Sequence, residues 1–257
     1  MRSSTQVTPH VTLPRDVSLS TADDLRRQLR RVLDRHPATV VIDCAELERV
    51  VSAHVGLLWE SHQICAEAGI AISLLNPGAG LVRILDALDL REVFGVDIKP
   101  DSAETVISAD ITELHPRRYA DRFAADRGSI DEAISRFQNF LAEASLPELV
   151  RFELRTVFYE VATNIRTHGG VAAPDTIAFQ SRMDGTRISL TFVDAGQPFN
   201  PIEKPIVFDG ARAVKTGQTH GFGIALIRKL MDEINYRRRY DSVNVLTLEK
   251  KWSQNRG

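Results

Sequence analysis

Little in this chain suits a secreted, membrane-spanning or polyanion-binding protein. It has two cysteines in 257 residues, Cys44 and Cys65. They are too few and too far apart for a disulfide framework or a metal knot, so both read as reduced packing thiols. No apolar run approaches the ~20 residues that a bilayer span needs, and the opening residues 1–6 carry no apolar signal core. A cytoplasmic protein is the expectation, with no membrane partner. Charge of one sign is lacking too: 32 basic against 34 acidic residues leave a net charge of -2, which removes the electrostatic footprint of direct nucleic-acid binding. The one basic cluster, Arg237, Arg238 and Arg239, reads as a solvated strand or sheet edge. Several kinase and nucleotide signatures are absent as well. There is no Gly-x4-Gly-Lys-Ser/Thr loop, and no His-Arg-Asp loop paired with Asp-Phe-Gly. The stretch from Asn76 to Gly80 puts two glycines between a strand and a helix, but Arg83 stands where a dinucleotide fingerprint needs its third glycine. A turn leading into a helix is the reading there.

What is present is enough apolar material, 43% of the residues, to build two modest cores in a chain longer than a typical domain. The first half alternates strand and helix. Val11 to Leu13 is a short strand, and Ser20 is expected to cap a helix whose Leu25, Leu29, Val32 and Leu33 share one face. Thr39 to Asp43 is a β-branched strand, followed by a helix over about Ser52–Ala68, a strand over Ile70–Leu75, and a short helix marked by Leu81, Ile84, Leu85 and Leu88. A last helix is expected near Ala103–Ser108, then a linker at about 108–116 whose acidic, polar and Pro content breaks the periodicity. The alternation predicts a helix-covered sheet over residues 1–114.

The second half, 115–257, reads as strand, two helices and then mostly strands. Tyr119–Ala125 is a strand, and Ser129 with Glu132 reads as a capping box for a helix striped by Ile130, Ile134, Phe137 and Leu141. Pro147 opens a long helix whose core stripe is Val150, Leu154, Val157, Phe158, Val161 and Ile165. Thr176–Gln180 and Arg187–Val193 are strands about a turn at Met183–Gly185. A polar segment over 197–219 reads as a lid or binding loop, Ile224, Ile227 and Leu230 mark a helix, and Tyr236–Tyr240 and Asn244–Lys250 are closing strands.

Three stretches of this half carry chemistry. Glu160 and Asn164 stand four apart on the long helix and share a face; the carboxylate can orient a hydroxyl proton, and the amide oxygen one turn on can reach a divalent cation. Asp194 leaves an apolar strand two residues before Gly196, so it can accept from an exocyclic amine while the glycine lets a ring lie close to backbone. Gly221 and Gly223 open a further helix whose N–H groups suit phosphate oxygens. Each stretch alone is weak; in order, they read as an ATP and magnesium site. In the first half Ser52 stands where a helix begins. A phosphate there would meet free N–H groups and the positive helix end, and the plain alternative is that Ser52 only caps the helix.

On these residues the first ~100 positions resemble a STAS domain, the anti-sigma-factor antagonist family. Val50–Gly56 stands in place of that family's Asp-Ser-Ser-Gly or Asp-Ser-Thr-Gly piece, and Asn76 and Pro77 followed by Val82–Leu90 match its next strand and helix. The resemblance puts Ser52 on the phosphoacceptor position, with Val51 replacing the aspartate and His54 the glycine. His54 itself is expected to be a partly exposed helix residue. Residues 118–251 resemble the GHKL ATPase fold, and within it the anti-sigma-factor serine kinases, through Glu160–Asn164 with His168 behind, Val193–Phe199, and His220–Ile227 followed by Met231–Glu233. That resemblance implies magnesium on Asn164, Glu160 as catalytic base, the adenine amine on Asp194, and phosphates approached by Gly221 and Gly223.

The expected fold is therefore α/β plus α+β, a STAS-like sheet followed by a GHKL (Bergerat) ATP-binding sandwich. The implied activity is an ATP- and Mg2+-dependent serine/threonine protein kinase of the anti-sigma type in a partner-switching pathway. Its partners would be a STAS-domain antagonist, a sigma factor, or both, with self-association left open. The acceptor would be Ser52 or a serine of another STAS domain. The rival is a non-catalytic nucleotide-binding switch whose first half is a built-in, unphosphorylated regulator.

Overall fold

The computed structural model describes residues 8–47, 49–96, 116–144, 146–170, 176–203, 222–239 and 242–253, which fall in two compact units. The helix expected near 103–108, the domain cut near 114, most of the polar segment over 197–219, and Gly221 lie outside the described residues.

In the first unit the order is β1 (His10–Thr12), α1 (Leu19–Leu33), β2 (Thr39–Asp43), α2 (Ser52–Glu67), β3 (Ala71–Leu75) and α3 (Ala79–Ala87). The strands form a parallel sheet in the order β1-β2-β3. Strands taken in sequence with right-handed crossovers put α1 and α2 on the same face. Arg26 of α1 accordingly meets Glu60 of α2 in a two-pronged ion pair at 2.7 and 2.9 Å. The core between helices and sheet holds Leu25, Leu29, Val40, Ile42, Val55, Leu58, Trp59, Leu81, Ile84 and Leu85. Both cysteines are buried here and unbridged, and burial pushes the Cys44 thiol up to about 12. Ser18, rather than Ser20, caps α1: its hydroxyl accepts from the Thr21 N–H while Thr21 Oγ1 accepts from the Ser18 N–H at 2.8 Å. A threonine at the third helical position completes the box as well as Glu or Gln would, which composition alone does not announce.

The second unit is a five-stranded antiparallel sheet, β4 (Arg117–Ala124), β5 (Thr176–Asp184), β6 (Arg187–Asp194), β7 (Glu233–Arg239) and β8 (Val243–Lys251), in the order β4-β5-β6-β8-β7. The last strand in sequence thus lies inside the sheet, and β7 forms an edge. The strands β5 and β6 alternate strictly, with Ile177, Phe179, Ile188, Leu190 and Phe192 on the buried face. Helices α4 (Arg127–Ala142) and α5 (Glu148–His168) pack in this unit; α6 is Phe222–Leu230. The whole expected stripe of α5 is buried. A phenylalanine cluster joins the layers, with Phe158 of α5 4.7 Å from Phe179, 5.3 Å from Phe192 and 5.3 Å from Phe137, centroid to centroid. Asp126, not Ser129, caps α4, accepting from the Ser129 N–H at 2.9 Å and from its hydroxyl at 2.7 Å. The β5–β6 turn falls on Gly185 and Thr186, shares only Gly185 with the Met183–Gly185 reading, and Gly185 takes the positive φ of 57° that this tight connection requires. Among the described residues no helix is long and apolar enough to cross a membrane.

Candidate functional site

Strand β6 ends on Asp194, an inward-facing position by the same alternation that buries Phe192, so the carboxylate lies on the helix-covered side of the sheet and is 7% exposed. The residue directly opposite it on β8 is Asn244, and opposite Asn244 on β7 is Arg238. Residues in register across adjacent strands share a face. Asp194, Asn244 and Arg238 therefore form one transverse polar row in an otherwise apolar layer. Asp194 Oδ1 accepts from the Gly196 N–H and from Asn244 Nδ2, both at 2.8 Å. Asn244 is 3% exposed. Its Nδ2 also donates toward the carbonyls of Gln197 at 3.0 Å and Gly196 at 3.2 Å, while its Oδ1 accepts from Tyr236 Oη and Arg238 Nη1, both at 2.7 Å. Arg238 donates as well to the Gly196 carbonyl at 3.1 Å. Burial raises the Asp194 carboxyl above its usual range, a shift opposed by the Asn244 and Gly196 donors and by the field of Arg238.

Helix α5 supplies the facing wall. Asn164 and Asp194 line the same narrow cleft, with Val161, Ile165, Phe199, Ile227 and Leu246 as its apolar walls. The Asn164 amide nitrogen is sealed from solvent and has no hydrogen-bond partner among the described residues. A buried amide left so costs roughly 1–3 kcal/mol, and a bound polar ligand would recover it. Glu160, one turn earlier, is 4% exposed and is not among the walls of this cleft. The helix ends through Gly169 and Gly170, the latter at φ +66°, and the Gly169 carbonyl accepts from the Gln197 N–H. His168 stacks on Phe199 at 5.6 Å and 10°, and Arg228 of α6 donates from Nε to the Pro201 carbonyl at 2.9 Å. The residues after Asp194 are thus tied to the end of α5 and to α6. Gly223 is the second described residue of α6. No cluster of three or more His, Cys, Asp or Glu suited to a metal ion occurs among the described residues. Magnesium does not need one, since it keeps several waters and takes one or two side chains plus phosphate oxygens.

In the first unit Ser52 is the first residue of α2, half-exposed, and the capping position belongs to Val51. The reading of Ser52 as a plain cap is corrected accordingly. Val51 has no side-chain acceptor, and His54 compensates for the main chain: its Nδ1 accepts from the Val51 N–H at 3.2 Å. Its Nε2 lies 3.0 Å from the Arg15 carbonyl, an obligate acceptor, so Nε2 bears the proton. His54 is 2% exposed, not the partly exposed residue expected, because both ring nitrogens are engaged inward. Burial lowers its pKa. Asp43 at the end of β2 accepts at 3.0 Å from Asn76, just past β3, and at 3.0 Å from the Ala45 N–H. The Asn76 amide foremost holds the Asp43 carboxyl below its ordinary value.

Residues 123–250 match the family model of the histidine kinase-like ATPase domain, and residues 1–96 match that described as Mlab, STAS domain. The chain joins a STAS domain to a histidine kinase-like ATPase domain. Among solved structures it is similar to the SiaB-SiaC complex from Pseudomonas aeruginosa, at 13% identity and a TM-score of 0.40, over 51% of this chain and 88% of that one. No curated protein matches it. The STAS domain accounts for the parallel sheet and its helices, and the ATPase domain for the antiparallel sheet with α4 and α5. Within the ATPase domain the structure brings Asn164 and Asp194 to one cleft and ties Gly196 to Asp194 through its N–H; Glu160 is buried and does not line that cleft. The supports of Asp194, namely Asn244, Tyr236 and Arg238, escaped the sequence reading. A signal existed: Asn244 is a polar, strand-averse residue at an inward position of an apolar strand.

Proposed function

We propose that the chain is an ATP-dependent serine/threonine protein kinase of the anti-sigma-factor type in a cytoplasmic partner-switching pathway. In this reading the ATPase domain, 115–257, binds ATP, and a serine of a STAS domain, Ser52 or one on a partner protein, receives the γ-phosphoryl group. The observation that carries it is the shared cleft of Asn164 and Asp194. Its floor offers a carboxylate whose Oδ2 makes no hydrogen bond among the described residues, suited to an exocyclic amine, and its wall offers a buried carboxamide with an unmatched nitrogen. Magnesium would be held by the Asn164 carboxamide and, when bound, neutralises charge on the triphosphate. Gly196 and Gly223, with Gly221, would allow close backbone approach. Glu160 would orient the acceptor hydroxyl, and phosphoryl transfer asks for little beyond such alignment and charge.

The second reading, a nucleotide-binding switch that sequesters a sigma factor or kinase without chemistry, is favoured by one observation: Glu160 is not among the residues that line the cleft. Intact-mass and phosphopeptide mapping after incubation with ATP and Mg2+ separates the two. The kinase reading expects one phosphate on Ser52 or on an added STAS protein, lost in Glu160→Ala and Asn164→Ala. Nucleotide binding without any phosphorylated product in the wild type leaves the switch.

A further inference from the structure

We infer that Asn244, anchored from behind by Arg238 and Tyr236, is a positioning residue that presents Asp194 to the base of the bound nucleotide and so sets selectivity for a base bearing an amine. The inference rests on the ATP reading of the cleft and names what fixes its specificity.

Three features carry it. First, the Asn244 carboxamide can lie only one way round. Its oxygen faces Arg238 Nη1 and Tyr236 Oη at 2.7 Å, and an arginine can only donate; its nitrogen faces a carboxylate and two carbonyls. A flip would set oxygen against three acceptors. Second, with both ends of Asn244 engaged, it has no capacity left to touch a base itself, so it acts through Asp194. Third, Asn244 Nδ2 and the Gly196 N–H converge on the same carboxylate oxygen, Oδ1. That fixes the carboxylate plane and leaves Oδ2 as the acceptor for a ligand in the cleft that Asp194 lines. An acceptor held in one place favours adenine, whose exocyclic N–H donates, over hypoxanthine, whose carbonyl oxygen at the same position is repelled. Sites built around a buried polar group reject the analogue that cannot pair with it far more strongly than apolar pockets reject a missing methylene. Arg238 is the charged group whose field bears on Asp194, reaching it from the edge strand across Asn244.

The experiment is calorimetric titration of the full chain with ATP and with inosine triphosphate, both with Mg2+, from pH 5 to 8. Wild type, Asp194→Ala, Asn244→Leu and Arg238→Met are compared, with thermal melts as a control for folding. Wild type is expected to prefer ATP by about 10- to 100-fold, the scale of one hydrogen bond to a charged group. Asn244→Leu should erase most of that preference, and Arg238→Met part of it. In both, ATP binding should fail at a higher pH on acidification than in wild type, because Asp194 loses a donor or a positive neighbour. A purely structural role would weaken both nucleotides alike and leave the acid limb in place. If Asn244→Leu does not fold, Arg238→Met decides: an unchanged ratio and acid limb overturn the inference. If wild type prefers ATP and Asp194→Ala loses the preference while both network variants keep it, the positioning role alone is wrong. If wild type binds neither nucleotide, the reading of the cleft falls first and the positioning role with it.

Discussion

Glu153 of α5 and Lys250 of β8 meet at 2.6 Å with side-chain exposures of 1% and 13%, and the same ammonium donates to the Leu230 carbonyl at the end of α6 at 2.9 Å. A buried pair contributes little net stability compared with apolar packing, but removing one member strands the other charge. Glu153→Ala should therefore lower the urea-unfolding free energy of the ATPase domain by about 3–5 kcal/mol, whereas Glu153→Met with Lys250→Met together should cost far less. At the same scale, Asn164→Ala removes a buried amide nitrogen that has no hydrogen-bond partner among the described residues. It should leave thermal stability nearly unchanged or slightly raised while abolishing Mg2+-dependent ATP binding, as read by calorimetry with and without the metal. The residues of the site were legible to different degrees for a physical reason. The separation of Glu160 and Asn164 is fixed within one helix, so spacing alone sets them one turn apart, although only Asn164 lines the cleft. The partner of Asp194 is fixed by strand register fifty positions away, and no local pattern encodes it.

Elements were legible where periodicity was strong and blurred where capping chemistry set the boundary. The long stripe of α5 and the alternation of β5 and β6 carry their own period, so these elements are found as expected, although β5 runs on to Asp184, past the expected end at Gln180. The starts of α1 and α4 depend on which of several nearby Ser, Thr or Asp side chains turns back on the main chain, a choice made by the incoming chain rather than by composition. Asp126→Ala should lower ATPase-domain stability through the lost cap, measured by chemical denaturation, and Ser129→Ala, which keeps the Asp126 acceptor, should lower it less. The start of α2 is more unusual, since a neutral imidazole does the work of a capping side chain there. His54 has its folded pKa lowered from an ordinary 6.5 by burial, so the folded state binds its proton less readily than the unfolded state. The stability this arrangement contributes is present above about pH 6.5 and is lost as the pH falls from there through the depressed folded value. Unfolding of the STAS domain should accordingly ease on going from pH 7.5 to pH 5. His54→Gln keeps an acceptor for the Val51 N–H without a titrating group, and should flatten that dependence in the same denaturation series.

For the molecule as a whole, the two domain matches predict that ligand effects divide between two units. ATP at a hundredfold excess over its dissociation constant should stabilise the ATPase-domain transition by about 2.7 kcal/mol through mass action. The STAS-domain transition should keep its midpoint in the same calorimetric scan, unless Ser52 has become phosphorylated. A single merged transition that moves with ATP would show instead that the domains unfold as one.

The sheet order β4-β5-β6-β8-β7 has a consequence for how the protein comes into being. Because β8 is threaded between two strands made before it, a ribosome must deliver residues as late as Lys251 before β6 and β7 have their common neighbour. Asp194 therefore waits for Asn244 until translation of that stretch is done, while β1 to β3 can assemble long before, since domains fold as units and the leading one first. A half-made polypeptide would already display Ser52 yet lack the Asp194–Asn244 pair, so the polar row at the end of β6 closes only after β8 has been translated.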